Sequence, residues 1–219
     1  LIDASGATER DGADVRIALT GDALIGAISA DAGVTAQSSA DLDGGTVMVD
    51  ARNISVGSVV ARGGLRSDLS TPANADGGNV QFTVGAGGLI HLTGARYATR
   101  DAGGTGGVLA LLGDVELAPP LGSSTGIPSV SFTLGNLLAT GSFRVSEALR
   151  TNGQLAALID ASGKIDLLGG AQIGAGSLGL AARGDVTLGS DVSADTLIEL
   201  IVDTDGTGGG RILTTPLVA

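Results

Sequence analysis

The chain has 219 residues and a formal net charge of −11, and it contains 38 Gly, no Cys, no Trp, three Phe and one Tyr. The absence of Cys excludes disulfides and thiolate chemistry, and the acidic balance argues against nucleic acid as a partner because few cations could neutralise phosphates. So few aromatic residues argue against a compact globular core, and no apolar run is long enough for a transmembrane helix.

Short stretches of alternating apolar and polar residues follow one another along the chain, separated by turns rich in Gly, Asp, Asn and Ser. Alternation with period two predicts strands that are buried on one face. Of the 23 acids, 19 are Asp, which favours turns, whereas Glu favours helices. The best helical pattern, at residues 145–159, is interrupted by Gly153. In chain order, the predicted inward residues include Val15, Ile17, Ile54, Val56, Ile90, Leu92, Val115, Leu117, Val186 and Leu188.

One short phrase occurs three times in the first half of the chain. It consists of a glycine turn followed by alternating residues, and it lies at residues 43–49, 76–82 and 104–110. In 43–49 and 76–82 the first residue after the turn, Val47 or Val80, is predicted to point inward. Recurrence of this kind indicates that one small β-unit is stacked many times.

A second phrase joins Gly and a charged residue to an apolar–polar–apolar triplet, at residues 113–117, 163–167 and 184–188. The last two copies start 21 residues apart, a length that suits one coil of a solenoid. Residues 1–6 also recur letter for letter at 158–163. The repeats therefore predict coils of roughly 20–30 residues.

These patterns predict an all-β fold, a parallel β-helix (β-solenoid) that forms a single unit over residues 1–219. The stretches at 67–75 and 119–128 break the rhythm with Pro, Ser and Gly, and we expect them to be loops that protrude from the stack. The chain begins on a repeat phrase without an initiating Met, so we expect it to be part of a longer chain or array.

Candidate catalytic residues are few. His91 lies between Ile90 and Leu92, whose side chains are predicted to point inward, so His91 is predicted to face solvent without an orienting partner. Carboxylate pairs occur at Asp41 with Asp43 and at Asp203 with Asp205, as a polysaccharide-cleaving enzyme would need. Such enzymes usually stack sugars on Trp or Tyr, which this chain nearly lacks. We therefore assign no catalytic residue and predict that the protein is not an enzyme.

Two further motifs suggest binding sites. Asp203 and Asp205 in an Asp-Thr-Asp-Gly sequence resemble the start of a calcium loop, but no Glu follows at the twelfth position, so an acidic turn is the simpler interpretation and no cofactor is predicted. Arg183, Gly184 and Asp185 spell the tripeptide that integrins recognise. Because Gly184 and Asp185 also belong to the repeated strand-entry phrase, the Arg is the only residue that the phrase does not explain.

Residues 44–51, 54–64, 76–80 and 184–188 resemble the repeats of filamentous-haemagglutinin-type exoproteins, large secreted adhesins of Gram-negative bacteria that are often exported by the two-partner route. The resemblance covers about two thirds of the chain. It implies a right-handed, elongated parallel β-helix located outside the cell or on its outer surface. It also implies a Cys-poor chain suited to crossing an outer-membrane pore unfolded.

The leading expectation is therefore a structural extracellular repeat protein, a segment of a surface adhesin, fibre or coat. One alternative is a carbohydrate-active β-helix enzyme, which a carboxylate cluster on one lateral face would favour. Another is a binding subunit of a larger cell-surface assembly. The expected partners are other protein chains, copies of this chain among them, and host or surface glycans.

Overall fold

The computed structural model describes residues 1–7, 10–33, 42–64, 76–99, 107–117, 130–133, 136–145, 149–151, 156–161, 164–167, 173–189 and 192–214. Within these ranges the chain forms nineteen strands and no helix. The strands are β1 (Ile2–Asp3), β2 (Val15–Ala18), β3 (Ala23–Ser29), β4 (Val47–Ala51), β5 (Ile54–Val60), β6 (Val80–Val84), β7 (Leu89–Ala98), β8 (Val108–Leu112), β9 (Asp114–Leu117), β10 (Val130–Thr133), β11 (Asn136–Ala139), β12 (Phe143–Val145), β13 (Leu149–Thr151), β14 (Ala156–Ala161), β15 (Ile165–Leu167), β16 (Ile173–Ala182), β17 (Val186–Leu188), β18 (Val192–Val202) and β19 (Ile212–Thr214).

The strands form three parallel sheets. An eleven-stranded sheet follows the path β1-β3-β5-β7-β9-β12-β15-β17-β19, with β10 joined to β7 and β13 joined to β10. A five-stranded sheet has the order β11-β8-β6-β4-β2, a three-stranded sheet has the order β14-β16-β18, and β14 lies beside β11. Because the chain passes from one sheet to another in each coil and pairs in parallel with the coil before, the fold is the predicted β-solenoid. Its right-handed sense and elongated outline stay predictions.

The interior is a narrow column of mainly aliphatic side chains, as the alternation predicted. Met48 is exposed, whereas its neighbours Val47 and Val49 are buried. Of the ten predicted inward residues, eight are buried, and the other two, Ile17 and Leu188, are partly buried against the same cluster. The largest buried side chain, Tyr97, donates a hydrogen bond from its hydroxyl to the Val56 carbonyl oxygen at 2.7 Å.

The second repeated phrase marks equivalent positions in successive coils. Phe143 pairs with Val115 on one side and with Ile165 on the other, and Ile165 pairs with Val186. The interval between Ile165 and Val186 is the predicted 21-residue coil. All four side chains point into the core, where they stack above one another.

The first phrase aligns correctly in two copies and is displaced by one residue in the third. Val47 pairs with Val80, but Val80 pairs with Leu109 and not with Val108. A shift of one residue moves every side chain to the opposite face of a strand. Leu109 and Leu111 therefore fill the core, and Val108 is only partly buried.

The six-residue identity between 1–6 and 158–163 does not mark equivalent coil positions. Ile2 lies in β1 and pairs with Ile28 in the eleven-stranded sheet. Ile159 lies in β14 and pairs with Leu180 in the three-stranded sheet. The same six-residue sequence thus occurs in two different sheets, because alternation determines which face of a strand a side chain lies on and does not determine which sheet the strand joins.

Two glycines of the first phrase are required by the stacking of one coil on the next. A Cβ on Gly78 would meet the carbonyl oxygen of Gly45, and a Cβ on Gly45 would meet that of Ala13. Only a residue without a side chain allows the backbones of successive coils to approach this closely.

The weak helical pattern at residues 145–159 does not form a helix where the structure describes it, in agreement with the all-β prediction. Residues Leu149–Thr151 and Ala156–Ala161 are strands that pair in parallel with neighbouring coils. Pairing with flanking coils thus outweighs a weak local preference for helix. The predicted loops at 67–75 and 119–128 lie outside the described residues.

Candidate functional site

A recurring polar contact connects the corners of successive coils, and we name this set of contacts the corner ladder. In each contact a side-chain Oδ1 accepts a hydrogen bond from a backbone N–H of the following coil, at 2.7–3.0 Å. The acceptor and donor residues are Asp11 and Asp43, Asp14 and Thr46, Asp31 and Arg62, Asp43 and Asp76, Asn53 and Leu89, Asn79 and Val108, Asp114 and Ser142, and Asp185 and Arg211.

The corner ladder corrects the interpretation of Asp as a residue of local turns. Asp11 and Asp43 each bond a residue 32 or 33 positions ahead, and Asp185 bonds one 26 positions ahead. In a parallel stack, each corner lies directly against the corner of the next coil, so a short acceptor side chain reaches the next unpaired N–H group. Part of the acidity of the chain therefore comes from Asp carboxylates that form hydrogen bonds between one coil and the next.

Arginines strengthen some of these corners. Arg62 forms a part-buried ion pair with Asp31 at 2.6 Å. Arg52 approaches Asp22 with two nitrogens, at 2.9 and 3.0 Å, and Asn53 donates to the same carboxylate. Hydrogen bonds from the Arg52 side chain and then from Asn53 lower the pKa of Asp22 to about 2.

The outer face of the eleven-stranded sheet carries a group of ionic residues that sequence reasoning did not bring together. Arg144 lies in register between Glu116 of one neighbouring strand and Asp166 of the other. Its Nη1 lies 3.9 Å from Glu116 Oε1, and Lys164 Nζ lies 2.8 Å from Asp166 Oδ2. We name this surface the charged face, and it consists of Asp114, Glu116, Ser142, Arg144, Lys164 and Asp166.

A groove of about 300 Å³ lies on the charged face. Its lining includes all six residues of that face together with Leu89, whose side chain is partly exposed. A second groove, of about 340 Å³, lies at the adjoining corner and shares Asp114 with the first. The two grooves therefore meet at one carboxylate.

The corner groove results from unequal turn lengths in three successive coils. Four residues, 85–88, connect β6 to β7, and three residues, 140–142, connect β11 to β12. Between them, β8 passes to β9 through Gly113 alone, which has a φ of +144°. The single-residue corner is recessed between two longer ones, and all three corners line the groove.

His91 lies beside the charged face. It pairs with Ser55 on one side and Glu116 on the other, on the outward face of β7 as predicted. The ring is nevertheless partly buried, and among the described residues its Nε2 atom is buried without a hydrogen-bond partner. The prediction of a simply solvent-facing His91 is therefore incomplete.

The calcium candidates Asp203 and Asp205 lie in the loop between β18 and β19. Asp203, with a φ of 58°, accepts a hydrogen bond from the Gly208 N–H at 2.8 Å. Asp205 accepts from the Thr207 hydroxyl and N–H, and these bonds, the hydroxyl first, lower the pKa of Asp205. One oxygen of each carboxylate thus serves the loop itself, and a role in calcium binding stays a prediction.

The Arg183, Gly184 and Asp185 tripeptide lies in the short connection from β16 to β17. Arg183 is exposed, but the Asp185 carboxylate belongs to the corner ladder. It also accepts a hydrogen bond from Arg211 Nη2 at 3.3 Å. This bond to Arg211 lowers the pKa of Asp185. A carboxylate held in this way is not displayed on a projecting loop, so the corner contact is the better explanation of Asp185.

The other carboxylate pair proposed from the sequence is Asp41 with Asp43, and the structure describes only one of the two residues. Asp43 belongs to the corner ladder, whereas Asp41 lies outside the described residues. In the part of the chain that the structure describes, no group of three or more His, Cys, Asp or Glu side chains is arranged to hold a metal ion.

The charged face has a signal in the sequence that reasoning from the repeats did not use. Glu116 and Asp166 occupy the polar middle position of two copies of the second phrase, which are aligned by their glycines. Arg144 lies in the intervening coil, where residues 141–145 depart from the phrase only in having Ser142 in place of the charged residue. The register of the strands confirms that Arg144 lies between the two acids.

Comparison with models of protein families, with curated proteins and with solved structures finds no match to this chain. Among the described residues, no helix is long and apolar enough to span a membrane. The candidate site therefore rests on its own geometry.

Proposed function

We propose that this protein is a rigid structural segment of an extracellular bacterial surface protein, such as an adhesin, fibre or coat. The corner ladder carries the proposal. It ties coil to coil outside the core, so that core packing and corner hydrogen bonds both resist separation of neighbouring coils. A scaffold that bears load or spaces other modules benefits from such distributed contacts, because each repeat contacts only its neighbours.

The geometry also supports a spacer. Nine strands lie along the path of the largest sheet, and at about 4.8 Å for each strand they span roughly 40 Å. The absence of Cys makes this stability independent of disulfide formation, and the resemblance to haemagglutinin-type repeats favours a location outside the cell. A binding subunit of a larger surface assembly is compatible with the same architecture.

A carbohydrate-active enzyme is the second candidate, and the charged face is the observation that favours it. Asp114, Glu116 and Asp166 place three carboxylates on one lateral face, and glycoside hydrolysis requires a pair of them. However, Asp166 is paired with Lys164, Arg144 lies near Glu116, and Asp114 binds a backbone N–H. We therefore place the structural role first.

The structural proposal is tested by location and shape. Proteolysis of intact cells of the bacterium that encodes the chain should remove the protein while a cytoplasmic marker survives, and small-angle scattering of the purified chain should show a rod. Protection from protease until the cells are lysed would contradict an extracellular role. Release of reducing ends from polysaccharides, abolished by Glu116→Gln, would favour the enzyme instead.

A further inference from the structure

The groove on the charged face has more hydrogen-bonding groups than the chain itself uses. Arg144 has five N–H donors, yet its ion pair with Glu116 is long at 3.9 Å and its side chain is 55% exposed. Lys164 uses one of three donors on Asp166, and the Asp114 hydrogen bond to Ser142 uses Oδ1 alone. With respect to the described part of the chain, the groove therefore offers free donors and free acceptors within a few ångströms of each other.

The charges of the groove limit the chemistry of a ligand. Three carboxylates and two cations line it, and the whole chain carries a net charge of −11. A polyanion would be repelled by the carboxylates and by the protein's overall field. A polycation would leave Arg144 and Lys164 without a partner. A neutral ligand that has many hydroxyl groups can donate to the carboxylates and accept from the cations at the same time.

The dimensions favour an elongated ligand. Asp114 and Lys164 lie two strand spacings apart, about 10 Å, and the corner groove extends the path beyond Asp114. Each groove has a volume at the lower end of the range for small-ligand sites. The partly exposed Leu89 side chain offers a small apolar surface for the C–H face of a ring. A short chain of sugar rings matches this shape better than a single compact molecule.

We propose that the charged face and the corner groove together form a binding site for a neutral oligosaccharide, with Arg144 and Glu116 as its central donor and acceptor. This site goes beyond the structural role, because a spacer segment needs no ligand. Because Phe82, Tyr97 and Phe143 are buried and offer no platform for a sugar ring, the affinity of a single site is expected to be weak. Repeated display along a fibre would raise the avidity.

The single histidine gives a direct readout. His91 is the only His in the chain and pairs with Glu116, so its ring resonances in an NMR spectrum report on the groove without overlap. The probes are β-1,4-linked hexasaccharides of glucose, mannose and N-acetylglucosamine, compared with a mannuronate hexamer of the same linkage as the mannose one. We expect saturable shifts of the His91 signals with at least one neutral probe and a weaker response to the mannuronate.

A matched pair of variants locates the binding. Arg144→Ala combined with Glu116→Ala should weaken binding of the neutral probe roughly tenfold or more, the equivalent of 1.4 kcal/mol. The control combines Ser55→Ala and Thr187→Ala, which lie in the same outward row but outside the groove, and should bind as the parent does. A thermal melt of each variant checks that the fold is retained, and Arg144→Ala alone serves if the double variant is unstable.

Three results would overturn the proposal: no saturable shift with any neutral probe, equal loss of binding in the control, or tighter binding of the mannuronate. The outcome is independent of the structural role. If the protein is located inside the cell but still binds the neutral probe through Arg144, the site stands and the proposed function fails. If the protein is a surface rod that binds no probe, the proposed function stands and the proposed site fails.

Discussion

At the scale of single residues, the close approach of neighbouring backbones requires glycine at some positions and not at others. Gly78 and Gly85 illustrate the difference, since Gly78 lies shortly before β6 and Gly85 directly after it. A Cβ on Gly78 would strike the carbonyl oxygen of Gly45 in the preceding coil, whereas a Cβ on Gly85 would meet nothing within 4 Å. The high glycine content therefore has more than one cause.

This difference gives a matched test. Gly78→Ala should destabilise the protein by about 1–3 kcal/mol, because the coils must separate locally to accept the methyl group. Gly85→Ala should be neutral or slightly stabilising, because it restricts the unfolded chain without a clash. Chemical denaturation of the two variants beside the parent measures the difference. Equal effects at both positions would mean that the backbones do not approach as described.

At the scale of elements, the corners hold the strands in register. Asp43 takes part in two successive contacts, since its N–H donates to Asp11 and its carboxylate accepts from Asp76. Asn53 and Asn79 lie at other positions in the corners, where their side-chain carbonyl oxygens accept the same kind of N–H. The ladder thus requires an oxygen acceptor on a short side chain and does not require a charge.

Substitution at Asp43 tests this point. Asp43→Ala should cost about 1 kcal/mol, since the Asp76 N–H loses its acceptor at an exposed corner. Asp43→Asn should recover most of that loss, because the amide oxygen can replace the carboxylate oxygen. The measurement is the midpoint of urea unfolding. An Asn variant as unstable as the Ala variant would show that charge, and not the hydrogen bond, stabilises the corner.

At the scale of the whole molecule, the carboxylates make stability depend on pH. Hydrogen bonds from Arg52 and Asn53 hold the pKa of Asp22 at about 2, against an ordinary value of 3.8. The pKa values of Asp3, Asp185 and Asp205 are lowered as well, by hydrogen bonds from Ser5, Arg211 and Thr207 respectively. Each of these groups binds protons more readily in the unfolded chain than in the folded one.

The sign of the effect follows from these shifts. A carboxyl whose pKa is lowered by folding contributes stability that is present above the unfolded pKa and disappears as pH falls through the folded pKa. Urea midpoints should therefore be level above about pH 4 and should fall between about pH 4 and pH 2. Asp22→Asn should make this decline shallower. A midpoint that is constant or rises over this interval would contradict the assignment.

Patterns in the sequence predicted the β-solenoid, the inward residues of β2, β4, β5, β6, β7, β9 and β17, and the 21-residue coil between Ile165 and Val186. These features depend on alternation within each strand and on the spacing of the glycine phrases along the chain, which can both be recognised without the tertiary structure. The sequence did not determine the one-residue shift at Val108, the strands within 145–159, or the sheets that the two copies of LIDASG join.

The tertiary structure alone decided which polar residues meet. Coils of unequal length place Arg144 between Glu116 and Asp166, and they leave Gly113 recessed between two longer corners. The corner ladder has the same origin, because Asp43 reaches Asp76 only when one complete coil intervenes. Register between coils is a long-range property that is set by the whole stack. The repeated phrase places Glu116 and Asp166 at matching positions, but the groove between neighbouring strands follows only from that register.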